Sequence, residues 1–290
     1  MIVFYWIFRF KARLLSWMPM RLLYVFSGVM AFVLGRIVKY RKKIIISNLQ
    51  NSLPGKNTSE IKKLTNSFYR NLSDIVFEII KLENITKEQL QKRVSVEGTE
   101  VLKRIADRKQ GVVVVMSHSG NWEWISQRVC FEGTGFDQIG VVAMEMSNLN
   151  FERYFTHIRL RLQKGIAGIV PFSQTAKYLA SIRHKASMII AIADQSPHKD
   201  QIQYRTSFLN QDTGVFLGPE RIARSLNYAV VFCHVKHTGR GLYKANFELI
   251  TDAPQDTPKH FITETHVKML ENDILTDPQA WLWSHRRWKY

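Results

Sequence analysis

Two residue types able to move a proton lie five positions apart in this chain, His118 and Glu123, within the stretch GVVVVMSHSGNWEW at 111–124. Imidazole has the side-chain pKa nearest neutrality, so it can take a proton from a hydroxyl in a transition state and return it afterwards. A carboxylate against its other ring nitrogen would fix the tautomer and stabilise the imidazolium as it forms. Glu123 is the partner the spacing suggests. No protein nucleophile accompanies them. A GxSxG elbow is absent, and Cys130 and Cys233 stand in apolar settings. Direct attack by a substrate hydroxyl is therefore expected. A glutamate in a first helical turn is also favoured for dipole reasons alone, so the pair by itself does not decide between catalysis and structure.

The elements that must position these groups can be read from the pattern around them. Val112 to Met116 is an unbroken apolar run, the signature of a strand covered on both faces. His118 falls at that strand's carboxyl end, the edge where open α/β sheets place their ligand crevices. Ser119, Gly120 and Asn121 break the run before a helical segment, whose first-turn N–H groups are candidate oxyanion donors near Asn121. Similar runs recur at 139–144, 165–170, 187–193, 229–235 and 244–250, with helical stretches between most of them. This alternation predicts an α/β fold, a mixed but largely parallel sheet flanked by helices. Thr238-Gly239-Arg240-Gly241 predicts an antiparallel hairpin for the last two strands. Helical spacing runs through 58–81 after a Pro54-Gly55 turn.

Other motifs agree in order with one family. HSGNWEW resembles the His-x4-Glu/Asp motif of the lipid A late acyltransferases, the lauroyl and myristoyl transferases related to bacterial lysophospholipid acyltransferases. Asp194-Gln195 looks like that family's Asp-Gln block, and Arg159 and Arg161 in IRLRLQKG look like its paired arginines. FLNQDTGVFLGPERIA at 208–223 and WLWSHRRWK at 281–289 are similar to its loop with Gly-Pro helix start and to its C-terminal signature. The similarity covers nearly the whole chain. Phe208-Leu209 and the segment Met144-Glu145-Met146-Ser147 depart from the family pattern, which leaves acyl length and acceptor open.

The resemblance implies a glycerolipid-acyltransferase-like fold and acyl transfer from acyl-acyl carrier protein to a hydroxyl of a lipid A precursor. His118 and Glu123 are the implied catalytic pair, and Asn121, Arg159, Arg161, Asp194 and Gln195 the implied substrate-binding residues. No cofactor and no metal are implied. A lysophospholipid or aminolipid acceptor, a thioesterase using water, and a non-catalytic membrane-tethered basic module are the alternatives.

Composition adds the partner class. The chain has 290 residues, 46% of them hydrophobic, enough for one generous domain. Forty-one Lys and Arg against 24 Asp and Glu give +17, a bias towards an anionic partner. Acyl carrier protein, an acidic protein, and an anionic bilayer fit it, and nucleic acid is not expected. Two distant cysteines show neither metal-ligand spacing nor a disulfide framework. In HVKH, strand alternation would put His234 and His237 on opposite faces, against a metal site.

The first 43 residues are expected to form a membrane anchor and basic juxtamembrane segment, with the acyltransferase domain at 44–290. Leu22 to Gly35 is the longest uncharged stretch, short of the ~20 residues of a comfortable span. A span from Leu14 with Arg21 snorkelling, or a helix in the interface with Trp6 and Trp17 at headgroup depth, are both open. Arg36, Lys39, Arg41, Lys42 and Lys43 are then expected to place the domain on the cytoplasmic side of the membrane, which the resemblance implies is the bacterial inner membrane. The tail, with Trp281, Trp283 and Trp288, is expected either at that interface or packed on the core.

Overall fold

A computed structural model describes residues 2–163, 165 and 167–290. Helices α1 (Ile2–Ser16) and α2 (Met20–Phe32) are separated at Pro19, which caps the second, and a π-helical turn (Val33–Ile37) continues α2. Helices α3 (Lys42–Ser52), α4 (Thr58–Lys81) and α5 (Lys87–Arg93) follow. The start of α4 is fixed by a reciprocal cap in which the Asn57 side chain accepts N–H bonds and Glu60 reaches back to the Asn57 N–H. Strand β1 (Val94–Glu97) and helix α6 (Thr99–Asp107) lead into the alternating part. It comprises β2 (Val112–Met116), α7 (Trp122–Glu132), β3 (Gln138–Ala143), α8 (Leu149–Leu160), β4 (Ala167–Pro171), α9 (Thr175–Ser181) and β5 (Ser187–Ile192). The ribbon β6 (Arg205–Phe208) with β7 (Gln211–Gly214), then α10 (Gly218–Leu226), β8 (Ala229–Gly239), β9 (Leu242–Thr251) and α11 (Phe261–Thr276) complete the chain.

The main sheet has seven strands in the order β1-β9-β8-β2-β5-β3-β4. From β8 to β4 all pairings are parallel; β9 runs antiparallel to β8, and β1 parallel to β9. The expected α/β sheet and terminal hairpin are both present. Of the expected run 165–170, Ile166 lies outside the described residues. Val112 to Met116 are buried, because they occupy a central strand with side chains in both cores. Val112, Val114 and Met116 face the layer containing α7, α8 and α1, while Val113 and Val115 face the layer containing α3, α10 and α11.

Helices α1 and α2 lie against the domain. Ala12 and Leu23 are buried in the first core layer, and Lys81 at the end of α4 donates to the Ser16 and Met18 carbonyls at 2.6 and 3.0 Å. Along α2, Tyr24 donates to Glu78 at 2.8 Å and Ser27 hydrogen-bonds Asp74, both acids on α4. The opposite face of the pair is apolar and exposed, with Trp17, Val25, Val29 and Phe32 each about 60% exposed. Met20–Ile37 is 18 residues with mean hydropathy 1.5, long and apolar enough to cross a membrane by length and composition.

His234 and His237 do not separate to opposite partners as strand alternation suggested. His234 Nδ1 meets Asp273 at 2.8 Å and His237 Nδ1 meets Asp277 at 2.9 Å, so both reach the C-terminal end of α11. Between the two histidines the β8–β9 register is regular and shifts only after His237, and the end of α11, with Asp273 and Asp277, lies within reach of both rings. Together they fix where α11 ends and where the segment beyond it begins.

One α11 side chain makes stability pH-dependent. His266 is 3% exposed, and burial pushes its imidazole down to about 4. Between the unfolded value near 6.5 and 4, the unfolded chain binds the proton and the folded one does not, so acidification through this window favours unfolding. The contribution reaches about 3 kcal/mol at pH 4, because each pH unit crossed in this window costs about 1.4 kcal/mol. Urea titrations at pH 7 and 4.5 should show His266→Leu losing less stability on acidification than wild type; equal losses would remove His266 as the source.

Candidate active site

The catalytic geometry follows from strand register. In the parallel β2–β5 pair Met116 stands opposite Ile192, and the pairing continues one step further, with the Ala193 N–H donating to the Met116 carbonyl at 3.1 Å. Two residues past each strand end, His118 and Asp194 therefore meet. His118 Nδ1 lies 2.6 Å from Asp194 Oδ1, and the His118 backbone N–H donates to Asp194 Oδ2 at 2.9 Å. The Trp281 indole N–H donates to the same oxygen at 2.8 Å. Burial would raise the Asp194 carboxyl, but the charge and hydrogen bonds of His118 and the Trp281 bond outweigh it and hold the group down to about 2. Asp194 is thus a carboxylate at neutral pH, and the imidazole proton belongs on Nδ1.

That leaves Nε2 as the basic nitrogen. Gln195 Nε2 stands 3.3 Å from it, so the amide donates where a substrate hydroxyl would. The ring of Trp122 packs edge-on against His118, centroid to centroid 5.1 Å, and the His118 side chain keeps 19% of its surface accessible. The turn carrying His118 is held on its other side. Gly120 takes φ +56°, and a Cβ there would stand 2.9 Å from the Tyr243 ring, so both conformation and space require glycine. The Gly120 N–H donates to the Ala280 carbonyl at 3.0 Å, and Ser119 bridges to Trp281.

Glu123 does not hold His118. It turns away into a buried ion pair, accepting from Arg159 Nε at 2.8 Å and Nη2 at 2.5 Å. The carboxylate at His118 Nδ1 is Asp194, which corrects the pairing expected from sequence spacing. Arg159 is correspondingly occupied, and Arg161 is bound to the Leu82 carbonyl at 2.5 Å and to that of Ile85. One guanidinium locks α8 to the start of α7, and the other binds carbonyls at and just beyond the C-terminal end of α4. Asn121, the third of the expected binding residues, serves the fold. It is fully buried, caps α7 by accepting the Trp124 N–H at 3.0 Å and donates to Glu78 at 2.9 Å.

Glu78 escapes a reading of the sequence, because it looks like one more polar position of an amphipathic helix. It is a buried hub: Tyr24, Tyr243 and Asn121 all donate to its carboxyl, and its backbone carbonyl accepts the Trp124 indole N–H at 2.8 Å. Burial pushes this carboxyl up, and the three hydrogen bonds oppose that shift. The hub ties α2, α4, β9 and the first turn of α7 together.

The C-terminal signature packs onto the core. Trp281 and Trp283 are 2% and 0% exposed, which settles the choice left open for them. His285 is pushed down to about 4, chiefly by burial, and as a neutral ring accepts the Ser196 N–H at 3.1 Å. It thereby shapes the loop that begins with Asp194 and Gln195. Buried Cys130 and Cys233 have thiols pushed up to about 12 by burial, so neither is a nucleophile. Among the described residues, no three His, Cys, Asp or Glu side chains converge to hold a metal ion.

An imidazole oriented by a buried carboxylate at a parallel sheet's carboxyl edge suits proton abstraction from a hydroxyl. A family model described as bacterial lipid A biosynthesis acyltransferase matches residues 1–290. The chain belongs to that family. It is therefore an acyltransferase of lipid A, and so of lipopolysaccharide, biosynthesis, and the family implies a lipid A-type acceptor. No curated protein sequence matches the chain.

Proposed function

We propose that this acyltransferase moves a fatty acyl group from acyl-acyl carrier protein to a hydroxyl of a lipid A precursor, with His118 as general base. One observation carries the mechanism: His118 Nδ1 is engaged by ionised Asp194, which leaves Nε2 to accept the hydroxyl proton. The hydroxyl oxygen attacks the thioester carbonyl as His118 takes its proton. The tetrahedral intermediate then collapses, the carbon–sulfur bond breaks, and the leaving thiolate takes the proton back from the imidazolium. N–H groups in the first turn of α7 stabilise the oxyanion, aided by the helix dipole. Gln195 yields its place at Nε2 to the substrate hydroxyl, so it is a contact on the acceptor side. Glu123 and Arg159 act as a positioning pair behind the catalytic turn.

The acyltransferase sits on the cytoplasmic face of the inner membrane, with the exposed apolar face of α1 and α2 in the bilayer interface. Crossing the bilayer would pull α2 off α4, carry the Tyr24 and Ser27 hydroxyls into hydrocarbon and cost the buried Glu78 carboxyl one of its donors, so seating on the surface is favoured over spanning. Arg36, Lys39, Arg41, Lys42 and Lys43 add attraction to anionic headgroups. The +17 charge also suits an acidic carrier protein.

Incubation with acyl-acyl carrier protein and either a lipid A precursor or a lysophospholipid, followed by mass spectrometry, tests the substrate assignment. Acyl gain on the lipid A precursor is expected. Acylation of the lysophospholipid alone would move the reading to that acceptor, and free fatty acid alone would make the enzyme a thioesterase.

A further inference from the structure

A second site lies on the same sheet edge as His118, beside the α1–α2 turn. Strand β9 begins at Leu242, two strands away from β2, and β1 begins immediately after Arg93, three strands away. At a strand spacing of about 4.8 Å this places the region on the order of 10–15 Å from the catalytic strand. A cavity of about 450 Å³ opens here, within the size range of small-molecule sites. Its wall is of two kinds. Lys81, Lys92 and Arg93 supply three cations, while Met20, Ile85 and Leu242 supply apolar surface, and among the described residues no acidic one lines it.

The cations are gathered by the fold. Lys81 is held by the Ser16 and Met18 carbonyls, and Arg93 by the Gly241 carbonyl at 3.2 Å and the face of Trp124. Carbonyls orient these groups without neutralising them. Burial lowers the Lys81 pKa, and the charge of Arg93 lowers it further, the mark of cations crowded together. Such a cluster is completed by an anion with several acceptor oxygens, as a phosphate has. The apolar half calls for hydrocarbon on the same ligand. The neighbouring α1–α2 turn carries Trp17, 60% exposed, and leads into the exposed apolar face of α2.

We infer that this cavity binds the phosphate headgroup of an anionic bilayer phospholipid, with Lys92 and Arg93 on the phosphate and Met20, Ile85 and Leu242 along the glycerol and first methylenes. This rests on the proposed seating of α1 and α2 in the membrane, and it gives that seating a defined orientation. A single lipid held here would face the carboxyl edge of the sheet, and with it His118, towards the bilayer.

The test is binding of dioctanoyl phosphatidylglycerol to the full chain in neutral detergent, by calorimetry, for wild type, Lys92→Glu and Leu242→Asp. Both positions are exposed, and unchanged melting temperatures identify folded variants. Saturable binding is expected in wild type, weakened at least tenfold in each variant, with inorganic phosphate binding far more weakly. Absence of saturable binding in wild type, or equal affinity in wild type and both variants, would overturn the assignment. Inorganic phosphate binding as tightly as the lipid would reduce the cavity to an anion site and overturn it too. Displacement of the lipid by stoichiometric lipid A precursor would transfer the cavity to the acceptor. Flotation with phosphatidylglycerol vesicles separates the two readings: wild type that binds the short-chain lipid but fails to float would contradict the seating and leave the cavity assignment standing.

Discussion

Asp194→Asn should lower the rate of acyl transfer by about 10³- to 10⁴-fold at neutral pH, the scale of losing the oriented tautomer in a His–carboxylate pair. The substitution is close to isosteric and keeps an oxygen for the Trp281 indole and the His118 N–H. What changes is the group facing Nδ1. An amide NH2 directed there drives the imidazole proton to Nε2, the position that must be empty to accept the substrate proton. Without the carboxylate, the imidazolium formed in the transition state also loses its counter-charge. Single-turnover transfer by folded enzyme is the measurement. A loss below tenfold would show that Asp194 does not set the state of His118.

Removing the other acid should act on folding. Glu123→Ala leaves the Arg159 guanidinium buried without its partner, a change that costs about 3–5 kcal/mol when one member of a buried pair is deleted. The side chains are 5% and 17% exposed, so water can rescue Arg159 only in part. The Arg159→Met, Glu123→Leu double variant, which removes both charges, should recover much of that stability, since burying neither ion avoids both desolvation terms. Denaturant unfolding of the single and double variants reads this directly. A Glu123→Ala protein with wild-type stability and no transfer would instead place Glu123 at the reacting atoms, as its spacing from His118 first suggested.

The contrast between these two acids shows what was legible in the sequence. The strand ends before His118 and before Asp194 both read clearly, because continuous apolar runs mark buried parallel strands. That the two residues face each other depends on β2 and β5 being neighbours in a defined register, which no local pattern encodes. Glu123 pairs with His118 on spacing alone. The turn between them passes through Gly120 at φ +56° and enters a helix whose first turn faces α8, so five residues of separation become two different environments. The paired arginines of α8 are likewise visible as a motif, but their partners, Glu123 and the carbonyls of Leu82 and Ile85, come from distant segments. Trp281 cannot be joined to Asp194 from the sequence, 87 positions away.

Elements with weak patterns escape the sequence for related reasons. β1 is only Val-Ser-Val-Glu, and β6 and β7 are largely polar, so their pairing rests on backbone hydrogen bonds rather than on an apolar face. The N-terminal segment is legible as apolar and basic. Its packing on α4 depends on groups that its own sequence does not contain, Glu78 and Asp74 as acceptors for Tyr24 and Ser27 and Lys81 as donor to the Ser16 and Met18 carbonyls.

The central claim is that His118 Nε2 takes the proton from the attacking hydroxyl, and transfer of the acyl group from acyl-acyl carrier protein to a lipid A precursor by wild type and His118→Ala tests it most directly. With both proteins shown to be folded by circular dichroism and melting, mass spectrometry should find transfer by wild type and a loss of about 10³-fold or more in the variant. Equal transfer by the two proteins would contradict the mechanism outright.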